Sequence, residues 1–136
     1  MRWLVKEEPA NYPFAQFMKD GRTVWSGVRN PVAQKHLRAM AVGDQVLYYH
    51  TGKEKAVVGI ATVTAAPRPD PADAMGTLYV VELAPVRALA RPVTLADVKA
   101  VPEFADFALV RIPRLSVMPV SDAQWAWIEA RGQAST

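Results

Sequence analysis

Cysteine is absent from the 136-residue chain and histidine occurs only twice, as His36 and His50. Without a thiol there is no disulfide framework, no cysteine nucleophile and almost no route to a structural zinc site. Two imidazoles are too few for a multi-histidine metal centre, and no cofactor is expected. No apolar run reaches the roughly 18 residues that a membrane helix needs, so no membrane partner is expected. Gly-x-Gly-x-x-Gly, a phosphate-binding loop and a Gly-x-Ser-x-Gly elbow are all missing, which leaves dinucleotide, nucleotide-triphosphate and serine-hydrolase chemistry without support. The N-terminal MRWLVKEEP carries no signal-peptide pattern, and a cytoplasmic monomer is the expectation.

What is present suits a folded domain. Hydrophobic residues make up 51% and charged residues 21%, an ordinary globular composition. No repeat, low-complexity tract or linker interrupts the chain, which reads as one domain over 1–136 with its core at about 2–130. The formal net charge is +3, and residues 1–60 hold nine Lys/Arg against five Asp/Glu. The excess therefore lies in the first 60 residues, a bias compatible with a phosphate-bearing partner.

Trp3-Leu4-Val5 reads as a strand ending at Lys6-Glu7-Glu8-Pro9. Pro13 opens a short helix through Phe14, Phe17 and Met18, and Asp20-Gly21 closes it. Thr23–Arg29 is extended or looped. Asn30-Pro31 is a strong helix start, N-cap followed by proline. Over 30–41 the spacing turns Ala33, Leu37, Met40 and Ala41 inward and leaves Gln34, Lys35 and Arg38 in solvent. Gln45–Thr51 and Ala56–Ala65 form a hairpin around Gly52-Lys53-Glu54-Lys55. A Pro/Asp-rich loop at 67–74 precedes a strand at Leu78–Val86. A short helix begins at Thr94, another turn lies at 103–107, and an extended piece covers Arg114–Val117. Ser121 with Gln124 forms a capping box for a last helix that points Trp125 and Ile128 inward and ends at Gly132. The order favours an α+β fold, a small mixed β-barrel flanked by helices, over a doubly wound parallel sheet.

Trp25 stands between two glycine-containing turns, ahead of a helix start. An indole there either offers a flat surface on which a base can stack or caps the core. Arg29 lies beside the free N–H groups of the following helix, a place that suits an anion or, equally, solvent. Lys6 and Glu8 share one side of the first strand and Glu7 takes the other. Each is a candidate to meet a base edge or to end a solvated strand. Val46, Tyr48 and His50 alternate with Leu47, Tyr49 and Thr51, so this strand is buried on both sides and His50 reads as a hydrogen-bonded imidazole, not a metal ligand.

Seven segments, in this order, resemble the EVE domain family: Trp3-Leu4-Val5-Lys6-Glu7-Glu8-Pro9, Trp25-Ser26-Gly27-Val28-Arg29-Asn30, Leu37-Arg38-Ala39-Met40, Gly43-Asp44, Tyr48-Tyr49-His50-Thr51, Val58-Gly59-Ile60-Ala61 and Arg114-Leu115-Ser116-Val117. They run from residue 3 to about 125. The resemblance implies the PUA-like superfold, kinship with YTH domains, and a pocket for a flipped-out modified base in DNA or RNA: methylated or hydroxymethylated cytosine, or methylated adenine. Trp25 matches the tryptophan lining that pocket, and Lys6 and Glu7 match the strand end that approaches the base. Ser26, Asn30 and Thr51 are assigned to the rim, Tyr48 and His50 to the wall behind it. Arg29, Lys35, Arg38 and Arg114 are assigned to phosphates, with a structural hydrogen bond as the alternative for Arg114. The family's commoner Lys-Ser-Glu-Pro has Glu7 in place of its serine here. An ionised carboxylate only accepts, and so favours a base edge that presents an amino group.

Two other classes compete with a non-enzymatic reader. One is a nuclease or small hydrolase using His50 with Asp44 or Glu7. The other is an interaction domain using the loop at 67–74.

Overall fold

Trp3, Leu4 and Val5 are all buried in β1 (Arg2–Glu7), and every residue from Val46 to His50 is buried in β3 (Gln45–His50). Strands without a polar face lie inside, covered on both sides. The computed structural model describes residues 1–133; the last three positions of the expected 1–136 domain lie outside the described residues. The remaining strands are β2 (Thr23–Trp25), β4 (Ala56–Pro69), β5 (Tyr79–Thr94) and β6 (Val117–Pro119). The helices are α1 (Phe14–Asp20), α2 (Pro31–Arg38), α3 (Leu95–Lys99), α4 (Ala108–Arg111) and α5 (Asp122–Gln133), with a 3-10 turn at Pro102–Phe104.

The strands form one mixed sheet in the order β2-β5-β4-β3-β1-β6. β1 and β3 are parallel, and the other pairs are antiparallel. The α+β class and the PUA-like arrangement hold, but the expected barrel is not closed: β2 and β6 are the two edges, each three residues long and unpaired with the other. Edges this short present few unpaired main-chain groups.

The β4–β5 ladder runs well beyond the expected ends at Ala65 and Val86. Pro67 and Pro85 do not interrupt the ladder. Instead the register shifts between Ala65 and Arg68, around Pro67, and between Ile60 and Ala61, opposite Pro85. Bulges absorb the missing N–H donors, and the strands continue. The turn that follows is built on Asp73, which accepts the N–H groups of Met75, Thr77 and Leu78.

The second helix is shorter than the apolar spacing suggests. It stops at Arg38, with Ala39 as C-cap. Met40 remains buried, but Ala41 is exposed. Gln34, expected in solvent, is also buried: its amide donates to the carbonyls of Val28 and Tyr79 and accepts from the Tyr79 N–H, tying α2 to β5. Asn30 caps this helix as expected, its Oδ1 accepting from Val32 and Ala33. The Thr94–Asp97 and Ser121–Gln124 capping boxes hold α3 and α5.

Residues paired across two strands share a face. On one face Val5 and Glu7 lie beside Tyr48 and His50; on the other Lys6 lies beside Tyr49. Phe14 and Phe17 of α1 pack on Tyr48, and His36 of α2 on Trp3, so these helices cover the first face. Arg2 stacks over Trp125 of α5 on the second. Among the described residues no helix is long and apolar enough to cross a membrane.

Gly59 of β4 is a point of close approach. A Cβ there would lie 2.3 Å from Phe14 Cζ and 2.5 Å from both Cε atoms. Gly59→Ala should therefore cost about 1–3 kcal/mol through overpacking, read as a lower urea midpoint. Phe14→Leu in the same chain should reduce that penalty.

Candidate nucleic-acid interface

At the end of β1 and β3 the first face carries a cluster of aromatic rings. Tyr48 is fully buried, and its ring meets Phe14 at 5.1 Å, Phe17 at 5.4 Å, Trp25 at 5.5 Å and His50 at 5.7 Å. Its hydroxyl donates to the Tyr12 carbonyl. Burial, then the nearby Glu7 charge, raise the Tyr48 phenol above its ordinary 10.0. Glu7 is the register partner of His50. Its Oε1 accepts the Glu8 N–H at 2.8 Å, and no protein donor among the described residues meets its other oxygen.

Trp25, Glu7, Tyr48 and His50 are therefore brought together. Trp25 is only 6% exposed, with its indole packed edge to face against Tyr48. This is the core-capping role, and an open stacking surface on the indole is not what the structure displays. Ser26 follows it in solvent, and Gly27 takes a φ of 76°, in the left-handed region where glycine is unstrained.

Lys6 is separated from this group. It lies on the opposite face, where its Nζ donates to the Pro113 carbonyl at 2.8 Å and stands over the Tyr49 ring. Burial lowers its pKa from 10.5, and burial pushes the Tyr49 phenol up to about 12. Thr51 lies beside Lys6 around a cavity of about 260 Å³ and donates to Glu8 Oε2 at 3.0 Å. Asn30 is exposed, but its oxygen is committed to the cap of α2.

The expected phosphate contacts divide as well. Arg29 and Arg38 line one cavity of about 320 Å³ with Gln34 and Thr77, and Arg38 stands over the Tyr79 ring. Lys35 is exposed on α2. Arg114 is exposed next to Pro113, on the Lys6 side.

Of the two carboxylates considered for a hydrolytic site, Glu7 is the register partner of His50 and Asp44 is remote from it. His50 Nε2 accepts the Phe14 N–H at 3.0 Å, which places the ring proton on Nδ1, 2.9 Å from Glu54 Oε1. Both nitrogens thus have protein partners. Asp44 lies at the opposite end of β3 from His50, about 20 Å away at 3.3 Å per residue. It accepts from the Trp3 indole at 2.9 Å, the Ala41 N–H at 3.0 Å and the N-terminal ammonium at 3.2 Å. Among the described residues no group of three or more acidic or histidine side chains is placed to hold a metal.

Sequence reasoning missed Tyr12, whose contribution is a main-chain carbonyl, and Glu54, which looked like turn chemistry. The i, i+4 spacing of His50 and Glu54 across the hairpin was the one available signal for the second.

A model of the EVE domain family matches residues 1–131. A Rhodopseudomonas palustris protein solved by NMR is 42% identical, with a TM-score of 0.91 over 96% of this chain and 92% of that one. Human THYN1, crystallised in complex with 5-methylcytosine-containing DNA, is 22% identical with a TM-score of 0.88 over 99% of both chains, a likeness of fold. Thymocyte nuclear protein 1 of Gallus gallus is 35% identical over an 80-residue alignment, with coverage of 50% of this chain and 33% of that protein. The match thus spans about a third of that curated relative.

Two outcomes follow from this geometry. Trp25→Ala should cost about 3–5 kcal/mol of stability as a large-to-small core change, measured by denaturant unfolding, with Trp25→Phe retaining more than half of the loss. For Asp44, burial raises the pKa, but the Trp3 indole, the Ala41 N–H and the N-terminal ammonium together bring it below 3.8. A depressed carboxyl contributes stability above its unfolded pKa and loses it as pH falls through the folded one. Asp44→Asn should be destabilised at neutral pH, and its deficit should narrow well below 3.8 in urea titrations.

Proposed function

The chain belongs to the EVE domain family, and from that premise we propose that it is a non-enzymatic nucleic-acid-binding module that takes a modified nucleobase against the Glu7–Trp25–Tyr48 face. The observation that carries this is the placement of a carboxylate at the rim of an aromatic cluster. Glu7 pairs in register with His50, its charge reaches Tyr48, and one of its oxygens has no protein donor among the described residues. An unengaged carboxylate oxygen beside rings is suited to accept from the exocyclic amino group of cytosine or adenine, while the rings contact the base and its methyl or hydroxymethyl substituent. The fold shared with human THYN1, which was crystallised with 5-methylcytosine-containing DNA, supports a DNA partner with modified cytosine over the other bases.

Because Trp25 and Tyr48 are packed, entry of a base requires the exposed Ser26-Gly27 turn to move. The left-handed Gly27 is the residue able to absorb that change. His50 and the Tyr12 carbonyl act from behind, by fixing Tyr48 and the start of α1.

The test is a binding panel of short oligonucleotides, DNA and RNA, each carrying one modified base. A strand with methylated or hydroxymethylated cytosine, or methylated adenine, should bind at least tenfold more tightly than its unmodified counterpart. Glu7→Gln replaces a charged acceptor and should lose about 1.5–3 kcal/mol, roughly 10- to 150-fold in Kd, with unchanged stability because Glu7 lies at the strand end. Equal binding of modified and unmodified strands across the panel rejects the reading.

A further inference from the structure

The other side of the same strand end carries an unassigned basic groove. Two adjoining cavities, of about 260 and 350 Å³, share Lys55, Leu95 and Lys99. The first adds Lys6 and the second Lys53, so four ammonium groups line the groove. Its one carboxylate, Glu54, is bonded to His50 Nδ1. None of the four lysines forms an ion pair among the described residues. Asp97, on the same helix as Lys99, is occupied by Arg131 at 2.9 Å. Positive charge is therefore concentrated on an apolar floor of Leu95, Leu109 and Pro113, with the Glu8 carboxylate at the rim beside Thr51 and Gly52 and no ion pair to any of the four lysines among the described residues. Such a site focuses the field onto an anion.

Two local features show that the groove is built at some cost. Lys6 is half-buried, held by the Pro113 carbonyl over the Tyr49 ring. Lys55 has a φ of 44°, the one non-glycine residue with positive φ among the described residues. A lysine in the left-handed region carries strain that glycine would not.

The groove begins where the aromatic site ends. Lys6 and Glu7 are consecutive and point to opposite faces, and Thr51, a groove residue, is bonded to Glu8. We infer that the Lys6–Lys53–Lys55–Lys99 groove binds the phosphodiester backbone of the nucleic-acid strand whose base enters on the Glu7 face. This rests on the reading proposed above and assigns the phosphates to a different surface from the Arg29–Arg38 cavity. The strand crosses the end of the sheet, with base on one face and phosphates on the other.

The experiment measures Kd for single strands with and without the modified base over a series of salt concentrations. The full chain is compared with Lys55→Gly, with Lys55→Gly/Lys99→Gln, and with Arg29→Gln/Arg38→Gln. Each lost phosphate contact on a single strand lowers the slope of log K against log salt by about 0.7. The lysine pair should lose about 1.4 of slope and weaken modified and unmodified strands by the same factor, leaving the preference for the modified base intact. Lys55→Gly should do this while keeping or raising the thermal midpoint, since it relieves the backbone. Retained slope in the lysine variants, or loss of slope in the arginine pair alone, overturns the groove while leaving the base reading standing. Lost preference for the modified base with a lysine-dependent slope overturns the base reading alone. Groove-dependent binding of a mononucleotide as tight as that of a strand overturns the backbone assignment, and a wild-type chain that binds no strand even at low salt overturns both.

Discussion

The Tyr48 side chain, fully buried near the end of β3, meets the rings of Phe14, Phe17, Trp25 and His50 and gives its hydroxyl proton to the Tyr12 carbonyl. These partners come from α1, from the segment before it, from edge strand β2 and from β3 itself. Tyr48 can occupy this position because β1 and β3 are parallel neighbours inside the sheet, flanked by β6 and β4, with both faces covered. Its environment is tight on the α1 side: Phe14 is pressed against Gly59 and donates its N–H to His50. A substitution in any member is felt by the rest, since contacting residues in a packed network do not act independently.

The same strand pairing explains how one short stretch presents two chemistries. Lys6 and Glu7 are neighbours in the chain, yet pleating sends one to a groove of lysines and the other to a cluster of rings. The four groove lysines and one committed carboxylate hold a charge comparable to the net +3 of the whole chain. Much of the remaining surface charge is consumed in pairs such as Arg87–Glu129, Arg131–Asp97 and Arg2–Asp122. On the proposed reading, affinity divides accordingly: the ring face discriminates, and the lysine face contributes a salt-dependent attraction that does not depend on the base.

Much of this was legible before any coordinates. The doubly buried strands follow from Trp3-Leu4-Val5 and Val46–His50, and the starts of α2, α3 and α5 follow from Asn30, Thr94 and Ser121. The grouping of Trp25, Glu7 and Tyr48 came from segment order and a family resemblance, not from periodicity. What was hidden has identifiable causes. The Pro/Asp-rich composition after Ala65 reads as a loop and the charged stretch after Val86 has no clear strand pattern, so β4 and β5 are longer than their sequences suggest. Gln34 looked like a solvent residue because its partners, the main chain of Val28 and Tyr79, are far away in sequence. Trp25 offered two readings, and the choice depended on whether β2 paired with β5, which a three-residue strand does not reveal. The lysine groove was invisible for a related reason: its members come from β1, the β3–β4 turn and α3, which only the fold brings together.

The division of the two faces is the central claim, and a chemical-shift map answers it most directly. Isotope-labelled protein is titrated with a single strand carrying one 5-methylcytosine, and then with its unmodified counterpart. The account predicts perturbation of the Trp25 indole and the Glu7–Glu8 amides by the modified strand only, and of the Lys6, Lys55 and Lys99 resonances by both. Perturbation by both strands of the Arg29–Arg38 cavity alone, with Trp25 and the lysine groove unmoved, would contradict it.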